Sequence, residues 1–507
     1  MTHPAARRRS IAGARPLRLA PDVTRALPLG VPDGDQPATQ GPDRHLLGAE
    51  VYYRAAQRDV LHGPTTEGLG VHLARVGPMP SALGGAGGQL LQIVDEVGLT
   101  GRGGAHFPVA AKWRSTITAV QERHVRRRIR GGRGESAPGE VLVVANGAEG
   151  EPASAKDAAL LQHRPHLVLD GLVAVAEVVG ADAGVVWLHE SADQTRQAVA
   201  RALAERRAAR HDSVPISLAT GPDRYLTGEA NAVVQALDGG PAVPWFRTVP
   251  AAQGGGVDGQ PTLVHNVETL ARTALLARTG VPTEASGPAG GVLTSVLGRL
   301  TSGQAVITVR ELPPQCTVAD AVLDRYGHEV APRAVLIGGY GGTWLSWEEA
   351  ADLTLGRLDR RRAPGAGLLP GEVTLGAGVL AALPADACGV AETASVATYL
   401  ADSSARQCGP CLFGTRALAE LWTRIAQGRA RRGDEQELAR ISAQLVRRGA
   451  CALPDAAVNL TLSAARVFAD DVRGHLAGAG CVRGCRAGSA AGPAEAWSTV
   501  LPVPRSA

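Results

Sequence analysis

Lysine is nearly absent from this chain. Of its 52 lysines and arginines only Lys112 and Lys156 are lysine, which leaves 52 − 2 = 50 arginines. Aromatic residues make up 3% of the 507 residues, so its cores must be built from Ala, Val and Leu. No stretch supplies the ~20 uninterrupted apolar residues that a membrane-crossing helix requires. The N-terminal Arg7-Arg8-Arg9 is not followed by a continuous apolar run, so no signal peptide is read and a cytoplasmic protein is expected. Seven cysteines in a chain this long do not resemble a secreted disulfide framework, and their clustering points to metal or redox use. The formal charge of +4 is close to balance. The one basic stretch, Arg123 to Arg133, has no interleaved aromatic residues for base stacking, which favours a solvated loop over a nucleic-acid surface.

What is present is an alternation of strand and helix signals. Residues 1 to about 44 are rich in Arg, Pro, Gly and Asp and read as disordered. Val141 to Ala145 reads as a buried strand, and Lys156 to Val179 as a long helix interrupted near Pro165. Gly184 to Leu188 reads as a strand, Ala192 to Arg210 as an amphipathic helix, and Val214 to Leu218 as an edge strand because of Pro215. This order implies a parallel, doubly wound α/β sheet whose ligand would sit beyond the carboxyl ends of the strands. Between Gly291 and Trp347, a strand pair joined through Thr301-Ser302-Gly303, a helix over Val318 to Tyr326 and the strand Ala334 to Ile337 suit a β-grasp module. Arg361 to Gly365 reads as a linker. Arg416 to Gln427, Asp434 to Arg448 and Ala456 to Leu476 carry apolar residues at helical spacing.

Four segments could carry chemistry. Gly101-Arg102-Gly103-Gly104-Ala105 leads to Lys112, and a glycine run of this kind lets backbone N–H groups approach a phosphate. Asn146 to Glu151, with Lys156 just beyond, falls at a strand end, where its glutamates either accept from ribose hydroxyls or cap the following helix. Tyr225-Leu226-Thr227-Gly228-Glu229 and His265-Asn266-Val267-Glu268-Thr269 each read singly as an ordinary turn. Cys408-Gly409-Pro410-Cys411 with a distant Cys451 suits iron–sulfur or zinc ligation, with a reversible dithiol or unligated core cysteines as the alternatives.

Taken in order, these motifs resemble one family over about residues 65 to 478. It is the NADH- and FMN-binding F subunit of respiratory complex I, together with its diaphorase relatives in NAD-linked hydrogenases and formate dehydrogenases. The resemblance implies an irregular N-terminal segment (1–64), an FMN/NADH-binding α/β domain (65–290), a β-grasp domain of the soluble-ligand-binding type (291–365), a helical iron–sulfur-binding region (366–480) and a tail (481–507). Gly101, Arg102, Gly103, Gly104, Ala105 and Lys112 would meet the phosphates of FMN and NADH. Asn146, Glu149, Tyr225, Gly228, Glu229, His265 and Asn266 would surround the flavin, with Glu151 near the nicotinamide nucleotide. Cys408, Cys411 and Cys451 would be ligands of a 4Fe-4S or 3Fe-4S cluster, while Ala405 stands at the first ligand position and binds no iron. Cys481 and Cys485 could reach in from the tail or form a separate site. The implied activity is that of an NADH dehydrogenase: hydride passes from NADH to FMN, then electrons go to an iron–sulfur centre and a partner iron–sulfur or membrane redox subunit. No acid–base residue is needed for the hydride step. The alternative is a catalytically impaired homologue serving in assembly or regulation. Three further departures are His106 where relatives carry Gly, Ala148 where many carry Asp, and Ala230 where they carry a second Glu, and these bear on flavin contacts and on NADH against NADPH.

Overall fold

The computed structural model describes residues 44–54, 60–80, 88–129, 141–282, 291–299, 305–326, 331–359, 373–385 and 387–478. The expected turn Thr301 to Gly303, the linker Arg361 to Gly365, Arg130 to Arg133, and Cys481 and Cys485 lie outside them. The molecule is a mixed α/β structure built on two sheets. Its strands are β1 (Val51–Arg54), β2 (Val60–His62), β3 (Leu142–Asn146), β4 (Ala183–His189), β5 (Ile216–Gly221), β6 (Thr262–Asn266), β7 (Val292–Arg299), β8 (Ala305–Leu312), β9 (Ala334–Ile337), β10 (Thr343–Ser346) and β11 (Val379–Leu383).

The first sheet is wholly parallel, in the order β5-β4-β3-β6. Val143, Val144 and Ala145 of β3 are buried, which is why the strand reads as a continuous apolar run rather than an alternation. Pro215 cannot donate to a ladder, so β5 begins at Ile216 on the sheet edge, with Gly184 donating to the Pro215 carbonyl. Pro165 starts a second helix (Pro165–Val179) after the first (Lys156–His163), with Arg164 in a non-helical conformation between them. Asp170 of the second helix is buried and binds His72 (2.7 Å), Arg206 (2.8 Å) and Arg278 (2.5 Å). These contacts tie the helices Leu69–Val76, Asp193–Ala208 and Val267–Thr279 behind the parallel sheet.

The second sheet has seven strands in the order β10-β9-β11-β7-β8-β1-β2, antiparallel throughout except for β11 against β7. It reaches beyond the expected limits of 291–365. β1 lies within the segment expected to be irregular to residue 64; it pairs with β8 and buries Val51 and Tyr53, whose hydroxyl donates to Gln162 at 3.0 Å. β11, expected to belong with the helices, pairs instead with β7 and β9 and is buried at every residue. The helices Gly389–Asp402, Thr415–Ala426, Asp434–Leu445, Leu453–Val467 and Ala469–Leu476 follow. The stretch Ala456 to Leu476, read as helical from its spacing, is divided at Phe468. That ring is buried edge-on to Trp344, with ring centroids 5.2 Å apart, and the Arg333 guanidinium sits over it.

Candidate functional site

Asn146 and Asn266 are register partners at the carboxyl ends of neighbouring parallel strands. The turn that follows β3, the carboxyl end of β6, the glycine run 101–105 and the segment Tyr225 to Glu229 surround a cavity of about 480 Å³ there. Every expected nucleotide-site residue lines it: Gly101, Arg102, Gly103, Gly104, Ala105, Lys112, Asn146, Glu149, Glu151, Tyr225, Gly228, Glu229, His265 and Asn266. Cys451 lines it too, so the cavity reaches the cysteine-bearing helices.

The glycine run folds back on itself. Gly101 donates to the Phe107 carbonyl at 2.9 Å, and Gly104 takes φ +95°, where a side chain would be strained. His106 also lies in the left-handed region, at φ +47°, and is buried against the cavity. The segments after β3 and before Glu229 touch so closely that glycine is required. A Cβ at Gly150 would stand 2.0 Å from the Tyr225 carbonyl oxygen, and one at Gly228 would stand 2.1 Å from that of Ala148. Asn146 Nδ2 donates to the Gly228 carbonyl at 2.6 Å and locks the same contact.

The carboxylates are engaged with backbone rather than free. Glu149 accepts from Asp157 and Ala158 N–H, both at 3.3 Å, and from the Ser154 hydroxyl, so it closes the N-terminus of the helix Lys156–His163. Glu229 accepts from Asn231 and Ala232 N–H and caps the helix Ala230–Leu237. Glu151 accepts from Tyr340 N–H at 2.9 Å and so fastens the cavity to the turn between β9 and β10. Beside Glu151, burial and then the glutamate's charge hold the Tyr225 phenol well above its ordinary range.

The cations divide. Arg102 pairs with Asp359, 257 residues away, so its guanidinium is already committed to a carboxylate. Lys156 is buried between Asp157 (2.7 Å) and Glu268 (3.0 Å). Burial works against its charge, yet Asp157, Glu268 and Glu149 together raise its pKa. Lys156 therefore belongs to a buried ion cluster at the cavity wall. Lys112 Nζ donates to the Val264 carbonyl at 2.5 Å. Burial lowers its pKa to about 8, with Glu229 partly opposing. His265 accepts from the Trp113 indole at 2.8 Å, and burial and then Lys112 keep it neutral.

Part of the cavity wall was missed in the sequence. Gly338, Gly341, Gly342 and Thr343 from the β9–β10 region and Asn459 from the helix Leu453–Val467 all line it. The run Gly338-Gly339-Tyr340-Gly341-Gly342 was the available signal, a second glycine-rich turn of the kind already recognised at 101–104. Phe107, half-exposed on the cavity wall, was likewise passed over.

Cys408, Cys411 and Cys451 converge. Ala450 N–H donates to Cys408 Sγ at 3.4 Å, and Cys411 is buried in the π-helical turn Pro410–Gly414. Burial pushes the Cys451 thiol up to about 11; the Leu453 N–H opposes this, while Cys411, Glu229 and Cys408 add to it. Ala405, partly buried, packs against the same core.

Two family models match parts of this chain. Residues 94–274 match the family described as the Nuo51 FMN-binding domain, and residues 391–475 match the NADH-ubiquinone oxidoreductase-F iron-sulfur binding region. The F subunit of NADH-quinone oxidoreductase from Mycobacterium tuberculosis (strain ATCC 25618 / H37Rv) is 28% identical over 410 residues, covering 77% of this chain and 85% of the relative. NADP-reducing hydrogenase subunit HndC of Solidesulfovibrio fructosivorans is 25% identical, covering 76% of each. The crystal structure of an NAD+-reducing [NiFe]-hydrogenase in the H2-reduced state superposes with a TM-score of 0.63 at 25% identity, covering 83% of this chain and 68% of that one.

The residues present fit both groups that these families bind. The cavity wall is glycine-rich: Gly101, Gly103 and Gly104 present backbone to it, and its segments at 150 and 228 meet so closely that an added Cβ would force them apart. For the cluster, three soft thiol donors share one place, and Cys408 and Cys451 each receive a backbone N–H, as metal-ligand sulfurs do. Among the described residues, no group of three or more His, Cys, Asp and Glu side chains stands at the spacing for a single metal ion. A polynuclear cluster holds its ligands farther apart than one ion does, so that spacing is compatible with it.

Proposed function

For a chain that is a divergent relative of the F subunit of NADH-quinone oxidoreductase, we propose the role of a flavin-dependent NADH oxidoreductase, or diaphorase, subunit. The observation that carries this reading is the shared cavity, in which the glycine run, the carboxyl ends of β3 and β6 and Cys451 meet. When bound, FMN accepts a hydride from NADH and releases electrons singly, and an iron–sulfur cluster takes them in that form. The protein's part is positioning and electrostatics. Gly101 to Ala105 and the close contacts of Gly150 with Tyr225 and of Gly228 with Ala148 would shape a slot for a flat ring, and Asn146 and Asn266, held by Gly228 and Asp157, would line it. Lys112 supplies a positive charge that a bound phosphate or flavin carbonyl would keep protonated. Glu149, Glu151 and Glu229 hold the surrounding backbone in place, with Glu151 joining the cavity wall to the second sheet.

In this reading the parallel sheet with its flanking helices is the FMN/NADH domain, the strands β7 to β11 are the core of the β-grasp unit, and the C-terminal helices carry Cys408, Cys411 and Cys451 as cluster ligands. Ala230 leaves the nucleotide side of the cavity one carboxylate poorer than in relatives, which weakens discrimination against NADPH. The partner is an electron-accepting iron–sulfur or membrane redox subunit. No helix among the described residues is long and apolar enough to cross a membrane.

The test is direct. Protein purified anaerobically should be yellow, release FMN on denaturation and reduce ferricyanide with NADH, and Cys408→Ser should lose the broad visible absorbance of an iron–sulfur centre. A second reading, a catalytically impaired relative serving in assembly or regulation, draws on the alanine at position 405. It predicts a colourless protein, inert towards NADH even after incubation with FMN.

A further inference from the structure

Trp113 is fully buried on the helix Val109–Ile129, and an indole N–H can only donate. It donates to His265 Nε2 at 2.8 Å. The two rings stand at 75° with centroids 6.2 Å apart, so the contact is made at the imidazole edge. An imidazolium, or the tautomer with its proton on Nε2, would set one N–H against another and strand a buried donor. The bond therefore admits one form of His265, neutral with its single proton on Nδ1.

That Nδ1–H needs an acceptor of its own. His265 lies on β6, is 4% exposed and lines the cavity, and among the described residues nothing accepts from its Nδ1. The charged group beside it is Lys112, one residue before Trp113 on the same helix, and Glu229 faces Lys112 from the start of the helix Ala230–Leu237. Neither takes the proton. Lys112 is itself a donor, turned to the Val264 carbonyl, and Glu229 is held by the Asn231 and Ala232 N–H groups. A buried donor on a cavity wall with no protein acceptor is left for a ligand to satisfy.

We infer that Trp113 is a positioning residue that locks His265 in its Nδ1–H tautomer, so that His265 donates a hydrogen bond to an acceptor atom of the flavin bound in the cavity. The inference rests on the flavin reading of the proposed function. The lock has a second consequence. With Nε2 engaged, His265 takes up no second proton near pH 6.5, where a free imidazole would, so the donor persists and no charge is added beside Lys112.

The experiment measures FMN dissociation constants from pH 5 to 8, by quenching of flavin fluorescence, on flavin-depleted full-length wild type, His265→Leu, Trp113→Phe and the double variant. Thermal midpoints check folding. The other titrating groups of the wall, Lys112, Glu149, Asp157 and Glu229 among them, are common to all four proteins, so differences between the profiles isolate His265. His265→Leu should bind FMN about tenfold more weakly, the value of one hydrogen bond, with a profile parallel to that of wild type. Trp113→Phe should bind more weakly and gain a step near pH 6.5 that the double variant lacks. Nitrogen-15 resonance of histidine-labelled, flavin-free protein reads the tautomer directly, with the His265 signals identified by their loss in His265→Leu. Nε2 should be unprotonated and its signal fixed from pH 5 to 8; an Nε2–H form, or a titrating ring, overturns the lock. A Trp113→Phe profile parallel to wild type, or a step that survives in the double variant, also overturns it. If Trp113→Phe fails to fold, the nitrogen spectra and His265→Leu decide. FMN uptake undiminished in His265→Leu overturns the donor while leaving the flavin reading standing, whereas a wild type that takes up no FMN overturns that reading and the donor's role with it.

Discussion

Gly228→Ala is the sharpest perturbation of the cavity. Gly228 has no left-handed backbone, so the added methyl acts through space alone. Its Cβ would stand 2.1 Å from the Ala148 carbonyl oxygen, where ordinary contact begins at 3.4 Å, so the two segments must part by about 1.3 Å. The obstacle is backbone on both sides and no flexible side chain can swing aside. Overpacking of this kind costs about 1–3 kcal/mol. Parting the segments also stretches the 2.6 Å hydrogen bond from Asn146 to Gly228, worth about 1 kcal/mol. If about 2 kcal/mol of that total falls on the ligand-binding geometry, FMN affinity drops by roughly 30-fold. The assay is titration of FMN into flavin-depleted protein, followed by quenching of flavin fluorescence. Gly70→Ala is the control: it lies in the helix Leu69–Val76 with nothing within 4 Å of the added Cβ. It should leave FMN binding unchanged and gain about 0.5–1 kcal/mol of stability. Equal FMN affinity in Gly228→Ala and wild type would refute the claim that this contact shapes the flavin slot.

Lys112 is charged below its folded pKa of about 8, whereas unfolded it holds its proton to about 10.5. Between those values the unfolded chain binds more protons, so stability should rise with pH by up to about 3 kcal/mol; urea unfolding at pH 8 and 10 should show this in wild type and not in Lys112→Met. Glu268 has the opposite sign. Burial would raise its pKa, but Lys156, Arg272 and Arg102 prevail and lower it to about 2, so its contribution is complete above pH 4.5 and is lost as pH falls towards 2. Glu268→Gln should flatten acid unfolding over that window, and an unchanged profile would count against the buried ion cluster. Asn459 Nδ2 donates to the Gly341 carbonyl (3.2 Å), the Gly342 carbonyl (2.7 Å) and Thr343 Oγ1 (3.0 Å). Asn459→Ala strands these groups at a cost of about 2–4 kcal/mol, which should appear as a lower melting temperature, and an unaltered midpoint would contradict it.

The parts of this architecture legible in the sequence are those fixed locally. Pro165 starts one helix and Pro215 delays one strand because each lacks a backbone donor, and the apolar run of β3 announces a strand buried on both faces. The gathering of Gly101, Asn146, Tyr225 and Asn266 around one cavity came from the resemblance, because no periodicity in the chain links segments so far apart. What stayed hidden depends on distant partners. Val51–Arg54 is too short to be read as a strand until β8 lies beside it, and Arg102 looks free for a phosphate until Asp359 arrives from 257 residues away. The ion pair of Lys156 with Glu268 was hidden for the same reason, since the packing of two helices brings them together. Glu149 and Glu151 could be read two ways, and the structure gives Glu149 the helix-capping role while leaving it on the cavity wall.

The central claim is that this cavity holds FMN where NADH can reduce it. Anaerobic addition of NADH to the FMN-loaded protein, followed through the flavin absorbance, tests it in one step. The account predicts about one FMN per chain and prompt bleaching of its visible bands. A protein that takes up no flavin from excess FMN, or whose bound flavin keeps its oxidised spectrum under NADH, would contradict it.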